Sequence, residues 1–363
     1  MVRITGGFDH YLEPRVVVSS QKWKQLVRRI GVMRTMLPTA ATQSLYANAM
    51  NQAMMVDMIW LHAFLRERLA GQPENVRPLT GGTFSRAFAC AVARRHYVAR
   101  LSALPDALDG FAKDAYAGQH FAASDLPIPR SIAIGHAGDL VFAISERAAG
   151  ETVAERDPVA RRALLPAMLN TLDAIHRSDV RASRGYGPWD GSGHGQFPTW
   201  RAFLAGHVRR ADEPFGRDVL ALGREPEAER ALCAAACARM LRLAEHCPED
   251  RALLHRDYNF ANVLTDGQRV TGVIDWAQAC YGDPLYDVAW LGWWTAGGSP
   301  TERVTRYDAT LVRERYGATP QYAERIACYE HCLALDELRF CAATGDADGY
   351  AWAREQLLGR LSP

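Results

Sequence analysis

In the run LLHRDYNFANVLTDGQRVTGVID, residues 253–275, His255, Asp257, Asn259 and Asn262 crowd into one short loop, and Asp275 follows a stretch of Val, Leu and Ile. Polar groups set among apolar ones cost about 2–7 kcal/mol each to bury without a hydrogen-bond partner. Such a cluster implies use. FANVLTD and RVTGVID flank Asp266-Gly267, a pair suited to a two-residue β-hairpin turn. Folding there carries Asp257 and Asn262, which precede or open the first strand, to the same end as Asp275, which closes the second. Two carboxylates and an amide oxygen at one end form a hard-oxygen site of the kind magnesium prefers, with its other positions left to water or phosphate.

The rest of the chain must position that hairpin. Residues 1–54 show no clean hydrophobic period and read as an extension of uncertain status. From Asp57, VDMIWLHAFLRERL has helical spacing and runs into Ala70-Gly71 and Pro73. VRPLTGG, TFSRAFACAV and HYVARLS read as short strands, Asp109 to Ser124 as a helix, and DLVFAISER as a further strand ending near Gly150. Beyond Pro158 the chain is mostly helical, interrupted by the hairpin. This order predicts a small sheet with one helix, a connector, and a larger helical lobe. A cleft near the connector is the expected small-molecule site.

Composition narrows the function classes. With 48% hydrophobic and 23% charged residues and a formal net charge of +1, the chain fits a globular protein and lacks a nucleic-acid footprint. No run approaches the roughly eighteen apolar residues of a membrane span. The first twenty residues lack a signal-peptide core, and the expected location is cytoplasmic. Cys233/Cys237 and Cys328/Cys332 lie four apart in helical sequence, as small buried residues do; zinc would want CxxC pairs or interleaved His. Lys occurs only at positions 22, 24 and 113, so Lys113 stands out among the arginines.

HRDYNFAN fits an HxDxxxxN loop, and GVIDWAQACYGDPLYDVA resembles the segment that follows it in the aminoglycoside phosphotransferase family, where IDW stands in place of the protein-kinase DFG. LTGGTFSRAFAC, HYVARLS, FAKDAY, HFAASDLPIP, GYGPWDGSGHGQFPTWRAFL and LDELRF with DGYAWA extend the resemblance from about Val56 to the C-terminal region, toward the hygromycin B branch. Residues 1–54 have no counterpart and read either as an appendage or as sequence upstream of a start at Met54, Met55 or Met58.

The resemblance implies an α+β, bilobal protein-kinase-like fold: a small antiparallel-sheet N-lobe over 55–147 and a larger, mostly helical C-lobe over 148–363. It also implies ATP (GTP not excluded) and Mg2+ as cofactors, and a cationic aminoglycoside as acceptor, hygromycin B first among them. Asp257 would be the catalytic aspartate. With an ordinary pKa near 4 it would align a hydroxyl and take its proton late rather than strip it beforehand. Asn262 and Asp275 would hold the metal, while His255 packs the loop and Asp283 and Asp287 tie it to helix backbone.

For the nucleotide, the resemblance implies contacts from Ser85 and the LTGGTFS loop, from Arg100 standing where a Lys is usual with Asp114 as its acid, and from the backbone of Glu146 and Ala148. Lys113 is the rival to Arg100. Acceptor candidates are Asp190, Asp283, Asp336 and Glu337, with Asp346 and Asp348 beyond, and Trp189 and Trp200 for a sugar face. The protein is expected to act as a monomer, without nucleic acid or membrane. Competing readings are a kinase of this fold acting on a choline-, methylthioribose- or homoserine-like metabolite, and a nucleotide-binding regulator without catalysis.

Overall fold

The computed structural model describes residues 56–79, 85–212, 226–295, 307–344 and 346–361. The extension over 1–54 and the Gly-Gly of the LTGGTFS loop lie outside them. Two compact units divide the chain: one takes residues up to Gln119 together with Pro129–Arg147, the other His120–Ile128 together with Ala148–Pro363.

The first unit begins with α1 (Met58–Arg68), capped by the Asp57 carboxylate, which accepts from the Ile59 and Trp60 N–H groups. Five antiparallel strands follow, β1 (Glu74–Pro78), β2 (Arg86–Val92), β3 (Arg95–Ser102), β4 (Ser131–Ala137) and β5 (Leu140–Glu146), in the order β1-β2-β3-β5-β4, with α2 (Ala107–His120) between β3 and β4. Strand alternation decides which helix each side chain meets. Phe88, Cys90, Val92, Ala99, Leu101, Phe142 and Ile144 cluster with Leu61, Phe64 and Leu65 of α1. Val141 and Ala143 turn to the other face and pack on Phe111 of α2. Strand β4 was not anticipated: its sequence, SIAIGHA, is too Gly- and Ala-rich to show a strong alternation.

The second unit is less purely helical than its sequence suggests. Helices α3 (Pro158–His176), α4 (Trp200–Asp212), α5 (Pro226–Leu243), α6 (Leu285–Thr295), α7 (Ala309–Tyr316), α8 (Tyr322–Thr344) and α9 (Ala347–Leu361) share it with short strands. Strands β6 (Glu151–Thr152), β10 (Val263–Thr265) and β11 (Val270–Val273) form one sheet, in the order β11-β10-β6. Strands β7 (Tyr186–Trp189), β8 (Gly195–Phe197), β9 (Ala252–Leu254) and β12 (Cys280–Gly282) form another, in the order β8-β7-β12-β9. Runs of three or four residues leave no readable period, so this second sheet escaped the sequence reading.

Helix α8 is the hub of the unit, packing on α5, α6 and α9. Trp200 is fully buried, stacks on Phe203 at 4.8 Å and donates its Nε1–H to the Tyr329 hydroxyl at 3.0 Å. Gly282 is needed beside it, because a Cβ there would lie 2.2 Å from the Trp200 ring. All eight cysteines are free thiols, and all but Cys233 are buried. No described helix is long and apolar enough to cross a membrane.

Candidate active site

The loop after β9 is built by hydrogen bonds made almost residue by residue. His255 is fully buried; its Nε2 lies 3.1 Å from the Ile274 carbonyl and its Nδ1 accepts from the Asp257 N–H at 3.3 Å. A ring nitrogen facing a carbonyl must carry the proton, so the imidazole is neutral and protonated on Nε2. It staples the loop to the end of β11, as expected from the sequence. Asp287, on the first turn of α6, accepts from the His255 and Arg256 N–H groups at 2.9 and 2.8 Å, and its Oδ2 also lies 3.1 Å from Nε2 of His176. These donors hold the buried Asp287 carboxyl below the usual range against the opposing effect of burial.

Asp257 is held from both sides. Its Oδ1 accepts from Asn259 Nδ2 at 2.9 Å and its Oδ2 from Asn262 Nδ2 at 2.8 Å. Asn259 also accepts the N–H groups of Ala261 and Asn262 on its Oδ1, closing the turn. Asn259 was given no role from sequence, although an Asn whose side chain accepts the backbone N–H two residues on, here that of Ala261, forms an Asx turn. With its nitrogen spent on Asp257, Asn262 has only its side-chain oxygen for a further partner.

The hairpin itself is as expected, except at its tip. Thr265 pairs with Val270, leaving four residues in the connection rather than two. The Asp266 carboxylate accepts the Gln268 and Arg269 N–H groups at 3.0 Å each, and Thr265 Oγ1 accepts from Gly267 N and donates to Arg269 O. Such side-chain closure stabilises a wider turn than Asp-Gly alone would make. At the opposite end, Ile274 N–H donates to Asn262 O at 3.0 Å, so the start of one strand is tied to the end of the other. Asp275 follows, with a left-handed backbone (φ 66°) that turns the chain into a 3-10 turn over Trp276–Gln278.

The Asp257 carboxyl feels the charge of Asp275. Burial pushes the Asp257 carboxyl up to about 8, the Asp275 charge adds to the rise, and the Asn262 and Asn259 amides pull against it. The ordinary value near 4 expected from sequence is therefore corrected. Two like charges this close raise each other's cost of ionisation unless a cation comes between them. Among the described residues no group of three or more His, Cys, Asp and Glu could hold a metal ion. A cation here would rest on Asp275 and the Asn262 oxygen, with phosphate or water completing its shell. This donor set fits Mg2+, which demands few protein ligands.

In the first unit, Arg100 and Asp114 form an ion pair, and the Arg100 guanidinium lies 4.7 Å from the Phe111 ring centroid. Small cross-strand neighbours, Ala87 and Ala143, leave room for the arginine on that face. Lys113 pairs instead with Asp109, 3.6 Å away on its own helix. Ser85 is partly exposed just ahead of β2. Glu146 ends β5, where its carboxylate binds Arg130 at 2.7 Å, and Ala148 opens the second unit.

The acceptor candidates divide. Asp283 is fully buried; its carboxylate pairs with Arg325 and accepts the Tyr329 hydroxyl and the Leu285 N–H. This correction removes it from the acceptor set, since every lone pair it could offer faces the core. Trp189 and Trp200 are likewise fully buried, which withdraws both as faces for a sugar. Asp336 keeps some exposure but lies 3.2 Å from His207, 3.1 Å from Arg339 and 3.8 Å from Arg256. Burial pushes the neighbouring Glu337 carboxyl up to about 7, opposed by a hydrogen bond from Cys341 and reinforced by Asp346 and Asp336.

Asp346 caps α9 through Gly349 N–H, and Asp348 is exposed on that helix. Asp190 is exposed and ionised, closing its own loop through Ser192 and His194. Strands β7 and β9 run the same way, both antiparallel to β12, with Pro188 and Leu254 opposite Cys280. Asp190 and His255 thus leave the sheet at the same end, about 10 Å apart at two strand spacings. Sequence reasoning missed a second aromatic group. Trp294 of α6 is partly exposed and stacks on Trp352 of α9 at 5.6 Å, a pairing foreshadowed only by WLGWW and DGYAWA.

The Phosphotransferase enzyme family matches residues 75–324. The chain belongs to this family. Within it, the hygromycin-B 4-O-kinase of Escherichia coli is 35% identical over 285 residues, covering 77% of this chain and 78% of that enzyme. A crystal structure of a thermostable mutant of aminoglycoside phosphotransferase APH(4)-Ia, in ternary complex with ADP and hygromycin B, superposes with a TM-score of 0.72 at 32% identity, covering 83% of this chain and 97% of that one. Homoserine kinase of Pseudomonas aeruginosa (strain LESB58) is 48% identical over only 67 residues, 18% of this chain and 21% of that enzyme. As a member of the phosphotransferase family, the chain has a mixed α+β fold and is a small-molecule kinase.

Proposed function

We propose that this phosphotransferase moves the γ-phosphoryl group of ATP to a hydroxyl of an aminoglycoside, hygromycin B being the first acceptor to test, and so protects its host from the antibiotic. The observation that carries the reading is the Asp257 carboxylate, gripped by two amides beside Asp275 at the tied end of a hairpin. The choice of acceptor rests on the 35% identity to an enzyme acting on hygromycin B.

In this reading Asp257 orients the acceptor hydroxyl and receives its proton late, as a loose phosphoryl-transfer transition state permits. The Asn259 and Asn262 amides keep both oxygens aimed, which is the positioning on which such catalysis chiefly depends. Asn262 and Asp275 hold magnesium. When bound, Mg2+ neutralises charge on the nucleotide phosphates. Arg100, oriented by Asp114, grips phosphate oxygens with its planar fork, and Ser85 adds a contact from the loop before β2. The Glu146 carbonyl and the Ala148 N–H meet the adenine edge. On the acceptor side, Asp190 and Glu337 receive ammonium groups and Trp294 offers a face to a sugar ring, with Asp336 behind them.

The test is a panel of aminoglycosides and small alcohols, homoserine and choline included, incubated with purified protein, Mg2+ and labelled ATP. Phosphate transfer to hygromycin B, abolished in Asp257→Asn, is the expected result. Transfer to a metabolite alone would replace the acceptor while keeping the chemistry.

A further inference from the structure

Arg256, the residue immediately before Asp257, has a backbone φ of 61°, in the left-handed region that favours glycine. An arginine there is strained, and such strain persists only where surroundings over-determine it. The surroundings are unusual. The guanidinium rests against two neighbouring aromatic rings, 5.5 Å from the Phe203 centroid on α4 and 5.1 Å from that of Tyr286 on α6. Its Nη2 lies 3.4 Å from the Tyr286 hydroxyl and 3.8 Å from Asp336 on α8, and its Nε is buried without a hydrogen bond. Its own N–H is pinned to Asp287 at 2.8 Å.

The anchor Asp336 is itself fixed. His207 is fully buried; its Nδ1 faces the Phe203 and Leu204 carbonyls at 3.3 and 3.2 Å while its Nε2 faces Asp336 at 3.2 Å. Both ring nitrogens therefore meet acceptors, an arrangement suited to the imidazolium form. Arg339 completes the set, bonding Asp336 through Nη1 and the His207 carbonyl through Nη2. Three helices thus converge on the side chain of a loop residue whose backbone sets the direction in which Asp257 leaves the turn.

We propose that Arg256 is a positioning residue, whose Asp336-anchored guanidinium holds the left-handed backbone that aims Asp257. It touches no reacting atom. The inference rests on Asp257 as the hydroxyl-orienting group and adds that this aim is set from α8. Glycine would adopt the same backbone without strain, so Arg256→Gly separates the two contributions: if backbone shape alone mattered, the variant would do as well as the native enzyme.

The experiment compares the native enzyme with Arg256→Gly, Arg256→Lys, Asp336→Asn and the Arg256→Gly/Asp336→Asn pair. Readouts are steady-state kinetics with hygromycin B, nucleotide affinity and thermal melting, with Asp257→Asn as control. Expected are a fall in kcat of about tenfold or more in Arg256→Gly with nucleotide affinity unchanged, and an intermediate value in Arg256→Lys, which keeps the charge but not the planar stack. Asp336→Asn should fall less, and the double variant should match Arg256→Gly alone, because partners in one chain of contacts are not additive. Folded Arg256→Gly turning over within twofold of the native enzyme would overturn the inference, as would additive losses in the pair. Should Arg256→Gly fail to fold, Arg256→Lys at native kcat would overturn it equally. Undiminished transfer by Asp257→Asn would instead remove the reading beneath it.

Discussion

Of the five aspartates in residues 257–287, four fall into two pairs of opposite character. Asp283 and Asp287 are buried with every charge answered: Asp283 by Arg325 and Tyr329, Asp287 by two backbone N–H groups and His176. Asp257 and Asp275 stay partly exposed, and Asp257 receives only neutral amide donors while Asp275 pushes its pKa upward. The first pair is saturated and holds the scaffold. In the second, the donors on Asp257 carry no charge and its carboxylate neighbour Asp275 repels it. Sequence type and even proximity along the chain do not separate them; the partners do.

The contrast can be broken most severely at Asp257. Asp257→Asn keeps the shape but removes the proton acceptor and one of the two amide contacts, since its own NH2 cannot accept from Asn259 or Asn262; kcat should drop about 10²–10⁴-fold with only a modest fall in melting temperature. An equal loss of both would merge the pairs. Asp283→Ala should do the reverse, costing about 3–5 kcal/mol of stability because it leaves Arg325 buried and unpaired, seen as a lowered denaturant midpoint in chemical unfolding.

A smaller effect is expected at Asp287. Its folded pKa is depressed, so its stabilisation is present above the unfolded value of about 3.9 and is lost as pH falls toward the folded one. The melting-temperature gap between native protein and Asp287→Asn should therefore be widest near neutrality and close as the solution is acidified. A gap that is constant with pH would show that the carboxylate's charge is not what matters. Asp275→Asn sharpens the comparison from the other side. The Mg2+ concentration for half-maximal activity should rise while stability holds, because a repulsive neighbour of Asp257 has been neutralised. The mildest case is the hairpin tip, where Asp266→Ala should cost about 1 kcal/mol and leave kinetics untouched.

Much of the molecule was legible where structure is local. The helical period of α1, α3, α5 and α8 and the hairpin between Asp257 and Asp275 depend on contacts a few residues apart. Short strands carry no period, so β4 and the sheet β8-β7-β12-β9 were missed. The Asp-Gly turn was read as the commonest hairpin connection, but Asp266 and Thr265 together close a wider loop.

The sequence by itself determined the chemistry on offer: a pair of carboxylates and an asparagine at fixed spacing on a hairpin, and an arginine, Arg100, on the third strand. Only the tertiary structure decided which acids are tied into the scaffold. His176 meets Asp287 across 111 residues and Arg325 meets Asp283 across 42, and no local pattern encodes such pairings. Whether a carboxylate serves the scaffold or the reaction depends on what neutralises it, and the neutralising groups arrive from distant helices only once the chain has folded.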